Sequence, residues 1–287
     1  MSGVMAGGQD WLAIWRRMYE SERAQGEAAT DPEFGRDADP WAGRAGRFAA
    51  ASQRQPQPDS FMRALLPQLR PTDTVLDIGA GTGRYLPTLA ASVREVIAIE
   101  PSAAMRVELE RVIADAGLPN VTVLAEQWPP ARPVVGDVLI SAHVVYALAE
   151  VGPFFLAMDG AARRACHLYL GIQHPGYALA AFWERVHGER RLPLPAALEA
   201  LACLHQLGIY AGLELVPIPG SFRFANMGEA LDEIRHRMRL TPRPDRDARI
   251  VAAAADLLTS RDDGWLALRD QPTHAALMSW KTVRREV

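Results

Sequence analysis

Residues 75–84 read VLDIGAGTGR: a short apolar run interrupted by a carboxylate, Asp77, then three glycines in five positions, Gly79, Gly81 and Gly83. Glycines at that density leave the main chain bare, so a ligand can reach the free N–H groups at the start of the helix that follows. A second apolar run ends on Glu100, and a carboxylate at such a strand end can accept both hydroxyls of a ribose lying across the sheet edge. Two carboxylates beside a bare turn suit a ligand with an adenosine at one end and a positive centre at the other. The dinucleotide fingerprint requires a glycine where Arg84 stands, and no Gly-Lys-Ser/Thr follows, so a pyrophosphate is not the favoured guest.

These residues need a frame, and the chain supplies one from Thr74 onward. TVLDIGA, EVIAIEPS, VTVLAEQ, DVLISAH and CHLYLGI read as strands, separated by helical stretches at 84–92, 102–116 and 151–164. That alternation predicts βαβ units and a parallel sheet covered on both faces. The arginines of AARRA, just before the fifth strand, suit a helix C-terminus. After Gln173 the pattern loosens into a helix in HPGYALAAFWERVH, a proline-rich loop and a helix over 196–208. Strands over 213–219 and 274–283 would form an antiparallel pair closing the sheet, with two helices between them at about 227–239 and 245–259. Ahead of the sheet, the spacing of Trp11, Leu12, Ile14, Trp15, Met18 and Tyr19 predicts an amphipathic helix over 10–25. A loop over 26–40, a helix over 41–53 and a short helix capped by Asp59 or Ser60 complete the reading.

With those elements placed, VLDIGAGTGR followed by IAIEPSAAM resembles the first two motifs of class I S-adenosylmethionine-dependent methyltransferases. The strand order, five parallel strands and then an antiparallel sixth and seventh, resembles that fold too. The resemblance implies a Rossmann-like, doubly wound, seven-stranded α/β sheet, parallel with an antiparallel last strand. It spans residues 60–287, with residues 1–59 as an N-terminal helical cap or lid and a helical insert at about 221–264. It also implies S-adenosylmethionine as cofactor and S-adenosylhomocysteine as product. Gly79, Ala80, Gly81 and Gly83 would line the amino-acid end, with Asp77 orienting the ammonium group. Glu100 would hold the ribose, Pro101, Ser102 and Met105 would flank the adenine, and Glu126 and Gln127 would occupy the third-strand turn. Ser141 and His143 would end the fourth strand, where cofactor and acceptor meet. The sequence Ser141-Ala142-His143-Val144 departs from the Asn/Asp-Pro-Pro-Tyr/Phe pattern of amino-methylating relatives. The stretch from Ser141 to Tyr210 resembles a bacterial subgroup of small-molecule type whose acceptor is open.

Several side chains carry two readings. His143 is either a general base, since an imidazole suits proton removal at neutral pH, or a donor that shapes the pocket. Tyr146 either stacks on the acceptor or packs. Trp183 and His187 share a helix face that either walls the acceptor or meets solvent, and His187 with His174 lacks a third ligand for a metal. Trp15 and Tyr19 either fold over the cofactor as part of a lid or dock the first helix, and Arg84 meets either a carboxylate or solvent. Cys166 and Cys203 read as buried, reduced thiols. In 287 residues the net charge is -3 and the positive charge is almost all arginine, Lys281 being the only lysine. No basic stripe points to nucleic acid, and no apolar run suits a membrane span. The expectation is therefore a cytoplasmic enzyme, monomeric or homodimeric, methylating an O or N atom of a small or medium-sized molecule. A protein or RNA acceptor, or a non-catalytic cofactor-binding module, stands as the alternative.

Overall fold

The computed structural model describes residues 8–35, 39–53, 58–219 and 222–282. Its main sheet is built from β1 (Thr74–Ile78), β2 (Glu95–Ile99), β3 (Val121–Leu124), β4 (Gly136–Ala142), β5 (Ala162–Gly171) and β6 (Gly212–Pro217). Three short strands follow, β7 (Arg223–Phe224), β8 (Leu258–Ser260) and β9 (Leu266–Leu268), and then the long β10 (His274–Lys281). The seven strands of the main sheet lie in the order β3-β2-β1-β4-β5-β10-β6, while β7-β9-β8 make a separate small sheet. The order turns back between β1 and β4, and at such a switch point the strand ends open a crevice for ligands. Register aligns that edge: Ile78 pairs with Ile99 on one side and with Ser141 on the other. The residues that leave the sheet there are Gly79, Glu100 and Ala142–His143.

Helices cover both faces because β1 and β4 are apolar on both. Leu76, Ile78 and Leu139 face a core with Trp15, Phe155, Met158, Cys203 and Leu204. These come from α1 (Trp11–Ala28), α6 (Gly152–Ala161) and α8 (Ala197–Gln206). Val75 and Val138 face the opposite core with Phe61, Met62, Leu86 and Leu109. These belong to α3 (Ser60–Leu65), α4 (Leu86–Ala90) and α5 (Ala103–Ala116), with α2 (Ala45–Gln53) lying on α5. A third core joins α7 (Ala180–His187), α9 (Met227–Arg237) and α10 (Pro244–Leu257) through Phe182, Trp183, Phe222, Ile234 and Ile250. No helix among the described residues is long and apolar enough to cross a membrane. Both thiols are buried; Cys166 donates to the Met158 carbonyl and Cys203 to that of Trp11.

Three expectations need correction. The sixth strand runs with the first five; only β10 is reversed, and it is inserted between β5 and β6. The insert is not wholly helical, since β7, β8 and β9 close it as a small sheet. Arg163 and Arg164 are strand residues rather than a helix C-terminus. Pairing of Ala162 with Gly136 starts β5 there, and the two guanidinium groups are drawn to carboxylates, Arg163 to Asp137 and Arg164 to Asp73.

Candidate functional site

The turn after β1 is left-handed three times, at Gly79 (φ 74°), Gly81 (φ 57°) and Gly83 (φ 78°). Gly79 is the most constrained, because a Cβ there would run into the side chain of Val144. The bare turn therefore lies directly against the segment leaving β4, one residue from His143. The N–H groups of Gly79 and Ala80 donate to the Ile99 carbonyl at 2.8 and 3.1 Å, tying the turn to the end of β2.

Glu100 completes the clasp. Its Oε2 accepts the Gly81 N–H at 2.9 Å and its Oε1 accepts the Ser102 N–H at 2.8 Å. Each carboxylate oxygen carries two lone pairs, so both keep one for a further donor. Asp77 is 2% exposed and its Oδ2 has no hydrogen-bond partner. Burial, and next the charge of Glu100, push its pKa up to about 7. Burial also raises that of Glu100, against the pull of its two N–H donors. An orphaned buried carboxylate oxygen, an acid with spare acceptor capacity and a half-buried, side-chain-poor turn between them fit a cation linked to a ribose. S-adenosylmethionine has that chemistry.

Ser102 caps α5, accepting the Met105 N–H at 3.1 Å while its hydroxyl donates to Asp39. Asp39 also accepts from Ala104 N and Trp41 N, so the segment before α2 is latched onto the helix that follows Glu100. Met105 is buried and Pro101 exposed. At the third-strand turn, Glu126 accepts the Ala131 N–H at 2.9 Å and Gln127 is exposed. Ser141 is fully buried with an unpartnered hydroxyl.

Beyond β4 stands a group of rings. His143 has φ 60°, its ring lies edge-on to Tyr169 at 5.0 Å, and its Nδ1 is 3.4 Å from the Tyr146 hydroxyl. That hydroxyl accepts the Gly171 N–H at 2.6 Å, and the Tyr146 ring meets His174 edge-on at 4.6 Å. His143 is open to solvent yet has protein around it, as on a cleft floor. Burial, and then Arg84, lower its pKa to about 4, a depression that water in the cleft moderates. Burial likewise takes His174 to about 4 and raises the Tyr146 hydroxyl. Arg84 meets a carboxylate, Asp59, which also accepts from the Tyr85 hydroxyl.

The first helix packs on this region. Trp15 is fully buried and its Nε1 donates to the Leu148 carbonyl at 2.8 Å, while the Tyr19 hydroxyl donates to the Ala147 carbonyl at 3.2 Å. The rings of Trp183 and His187 lie 4.1 Å apart, tilted by 36°, with Trp183 in the third core and Arg191 over its indole at 3.8 Å. Trp183 is therefore turned inward, at 3% exposed, while His187 is half-buried. Sequence reasoning read Asp59 as the helix cap it is, accepting the Met62 N–H, but missed its pairing with Arg84, and it missed Asp39 and Tyr169. Asp39 sits in a loop where no periodicity marks it, and Tyr169 lies inside an apolar strand.

Residues 75–149 match the family model described as a methyltransferase domain. With the strand order and the clasped turn, this match supports a class I S-adenosylmethionine-dependent methyltransferase, acceptor unspecified. Among solved structures the fold is similar to that of the YcgJ protein from Bacillus subtilis, at 13% identity and a TM-score of 0.52, covering 77% of this chain and 97% of that one. It is also similar to the BH2331 protein from Bacillus halodurans C-125, at 13% identity and a TM-score of 0.52, covering 78% and 99%. At these identities the likeness is one of fold. No curated protein matches the chain.

Proposed function

We propose that the protein transfers a methyl group to an oxygen or nitrogen atom of a small or medium-sized acceptor seated at the ends of β4 and β5. The observation that carries this reading is the buried carboxylate pair at the bare turn, Asp77 with an unpartnered oxygen and Glu100 hydrogen-bonded to Gly81. When bound, S-adenosylmethionine supplies an electrophilic methyl on a sulfonium. The protein's own contribution is in-line positioning, exclusion of water and, where the acceptor needs it, removal of one proton.

In this assignment Asp77, Gly79, Ala80, Gly81 and Gly83 hold the amino-acid end, and Glu100 holds the ribose. Pro101, Ser102 and Met105, with Glu126 and Gln127, frame the adenine, and Ser141 lies at the junction with the acceptor. Residues 1–59 are read as a helical cap or lid on a catalytic unit of residues 60–287, and within them α1 docks on the turn after β4 through Trp15 and Tyr19. His143 serves as base only with Nδ1–H given to Tyr146, which leaves Nε2 free to accept. Its low pKa keeps it unprotonated through the neutral range but suits it to an acceptor proton that is already acidic. Tyr146 belongs to the acceptor side, whereas Trp183 and His187 support the roof from within. That roof of α7, α9 and α10 favours a small molecule over a protein or RNA, in a cytoplasmic setting.

Calorimetric titration with S-adenosylhomocysteine tests the assignment. Wild type binds, and Glu100→Ala loses at least about tenfold in affinity, the worth of one charge-assisted contact. Equal binding by both proteins, or none by wild type, refutes it.

A further inference from the structure

Where the insert meets the main sheet, the chain leaves a cavity of about 270 Å³. The main sheet contributes Ile218 and Pro219, just past β6, with Pro272 and Thr273, just before β10. The small sheet contributes Thr259 and Arg261 from the β8 side, with Leu268 and Arg269 at the end of β9. Thr259 pairs with Ala267, so strand alternation sets Thr259, Arg261 and Arg269 on one face of the small sheet. β10 runs against β5, and β6 runs against β10. β6 therefore ends at the same rim as β1 and β4, three strand spacings or ~14 Å from β4. The cavity lies along the rim that carries Gly79 and Glu100 but is a separate place on it.

The backbone around this cavity is fixed, and the charged tips in it are not. The Arg261 N–H donates to the Trp265 carbonyl at 2.7 Å, and the Arg261 carbonyl accepts the Gly264 N–H at 2.9 Å, which closes the turn after β8. The Arg269 N–H donates to the Leu257 carbonyl at 3.0 Å, and the Ile218 N–H to that of Thr273 at 2.9 Å. Gln271, also on the wall, donates to the Leu268 carbonyl at 3.2 Å and accepts the Phe222 N–H at 3.3 Å. By contrast, Arg261 and Arg269 are exposed, and their guanidinium groups make no hydrogen bond or ion pair to another described residue. Asp263 is taken by Arg223, and no carboxylate among the described residues lines the cavity.

Two positive charges thus share one small cavity with no negative group, and a dianion answers both at once. A phosphate monoester carries about two negative charges at neutral pH on three oxygens, against one charge on two oxygens for a carboxylate. The rest of the wall, Ile218, Pro219, Leu268 and Pro272, is apolar. The volume approaches the ~300 Å³ at which small-molecule pockets begin, so an organic group fits beside the phosphate. We propose that this cavity binds a small organic phosphate. Arg261 and Arg269 receive the phosphate, with the Thr259 and Thr273 hydroxyls beside them, and the organic part rests on the apolar wall. A ligand so placed touches both the insert and the main sheet and pins one to the other. The site is independent of the methyl-transfer reading above.

The test titrates the full-length protein with phenyl phosphate, inorganic phosphate, benzoate and benzyl alcohol by calorimetry at fixed ionic strength. Phenyl phosphate is expected to bind at least about fivefold tighter than inorganic phosphate or benzoate, with benzyl alcohol weakest. Arg261→Gln and Arg269→Gln are each expected to weaken phenyl phosphate about fivefold or more. Both replace exposed side chains, so the melting temperature and S-adenosylhomocysteine affinity should match wild type. Arg70→Gln, at an exposed position on the opposite rim ahead of β1, should leave phenyl phosphate binding unchanged. Phenyl phosphate affinity unchanged in both cavity variants overturns the proposal, as does an equal loss in Arg70→Gln. So does any other probe binding as tightly as phenyl phosphate, or no binding of phenyl phosphate at all. Failure of S-adenosylhomocysteine to bind would remove the methyl-transfer reading and leave this site standing.

Discussion

Asp77 makes cofactor binding a proton-linked event. Its pKa is pushed up to about 7 by burial and then by the charge of Glu100, so at pH 6 only about one molecule in ten carries it ionised. A ligand ammonium or sulfonium beside the unpartnered Oδ2 favours the ionised form and expels the proton. Affinity for S-adenosylhomocysteine should therefore rise about tenfold, or ~1.4 kcal/mol, between pH 6 and pH 8. The sign for the free protein is opposite. A carboxyl whose pKa is raised on folding supports the fold fully below its unfolded value of about 3.9, and loses that support as pH climbs through about 7, by up to ~4 kcal/mol. Asp77→Asn removes both dependences. Its affinity should stay flat from pH 6 to 8 and lie below wild type at pH 8, while its melting temperature at pH 8 lies above wild type. Calorimetry in two buffers of different ionisation enthalpy counts the proton released, and thermal melts give the second readout. Equal wild-type affinities at pH 6 and 8, or a pH slope that survives in Asp77→Asn, would refute the reasoning.

Other perturbations read other parts of the molecule. His167 is 1% exposed, contacts Ser279 Oγ through Nδ1 at 2.9 Å and is lowered by burial to about 4. A depressed histidine is neutral in the fold, so its contribution is present above about 6.5 and lost as pH falls towards 4, by up to ~3 kcal/mol. His167→Gln should flatten that acid limb in urea melts at pH 4.5 and 7. Trp15→Ala empties a fully buried site and removes the bond to Leu148, costing about 3–5 kcal/mol by denaturant titration. Gly79→Ala meets Val144 from a left-handed backbone and should lower both the melting temperature and S-adenosylhomocysteine affinity. Asp39→Ala frees the latch on Ser102 and Ala104, so trypsin should cut at Arg44 or Arg47 faster in the variant.

The bare turn and its two carboxylates were legible because each is a local pattern. A strand carrying Asp77 one residue from its end, glycines at three left-handed positions and Glu100 just past the end of a second strand are all written in short local stretches. The acceptor side was not. Its ring cluster joins Phe61, His143, Tyr146, Tyr169 and His174, which come from three separate stretches and meet only after the sheet has brought β4 beside β5. Arg163 and Arg164 show the same limit at the level of an element. Charge near an apolar run suggests a helix end, but pairing with β4 and the carboxylates of Asp137 and Asp73 draws them into a strand. The small sheet of β7, β8 and β9 was missed because two or three residues are too few to show alternation.

The reversed β10 also governs the order in which the molecule can be finished. β6 borders only β10, and β10 lies 57 residues further along the chain, counting from Pro217 to His274. Until that late segment arrives, the edge of β5 stays open and β6 has nothing to pair with. A break anywhere between them would thus remove two strands while severing one link. A growing polypeptide can assemble the cofactor crevice of β1, β2 and β4 well before this far side zips shut.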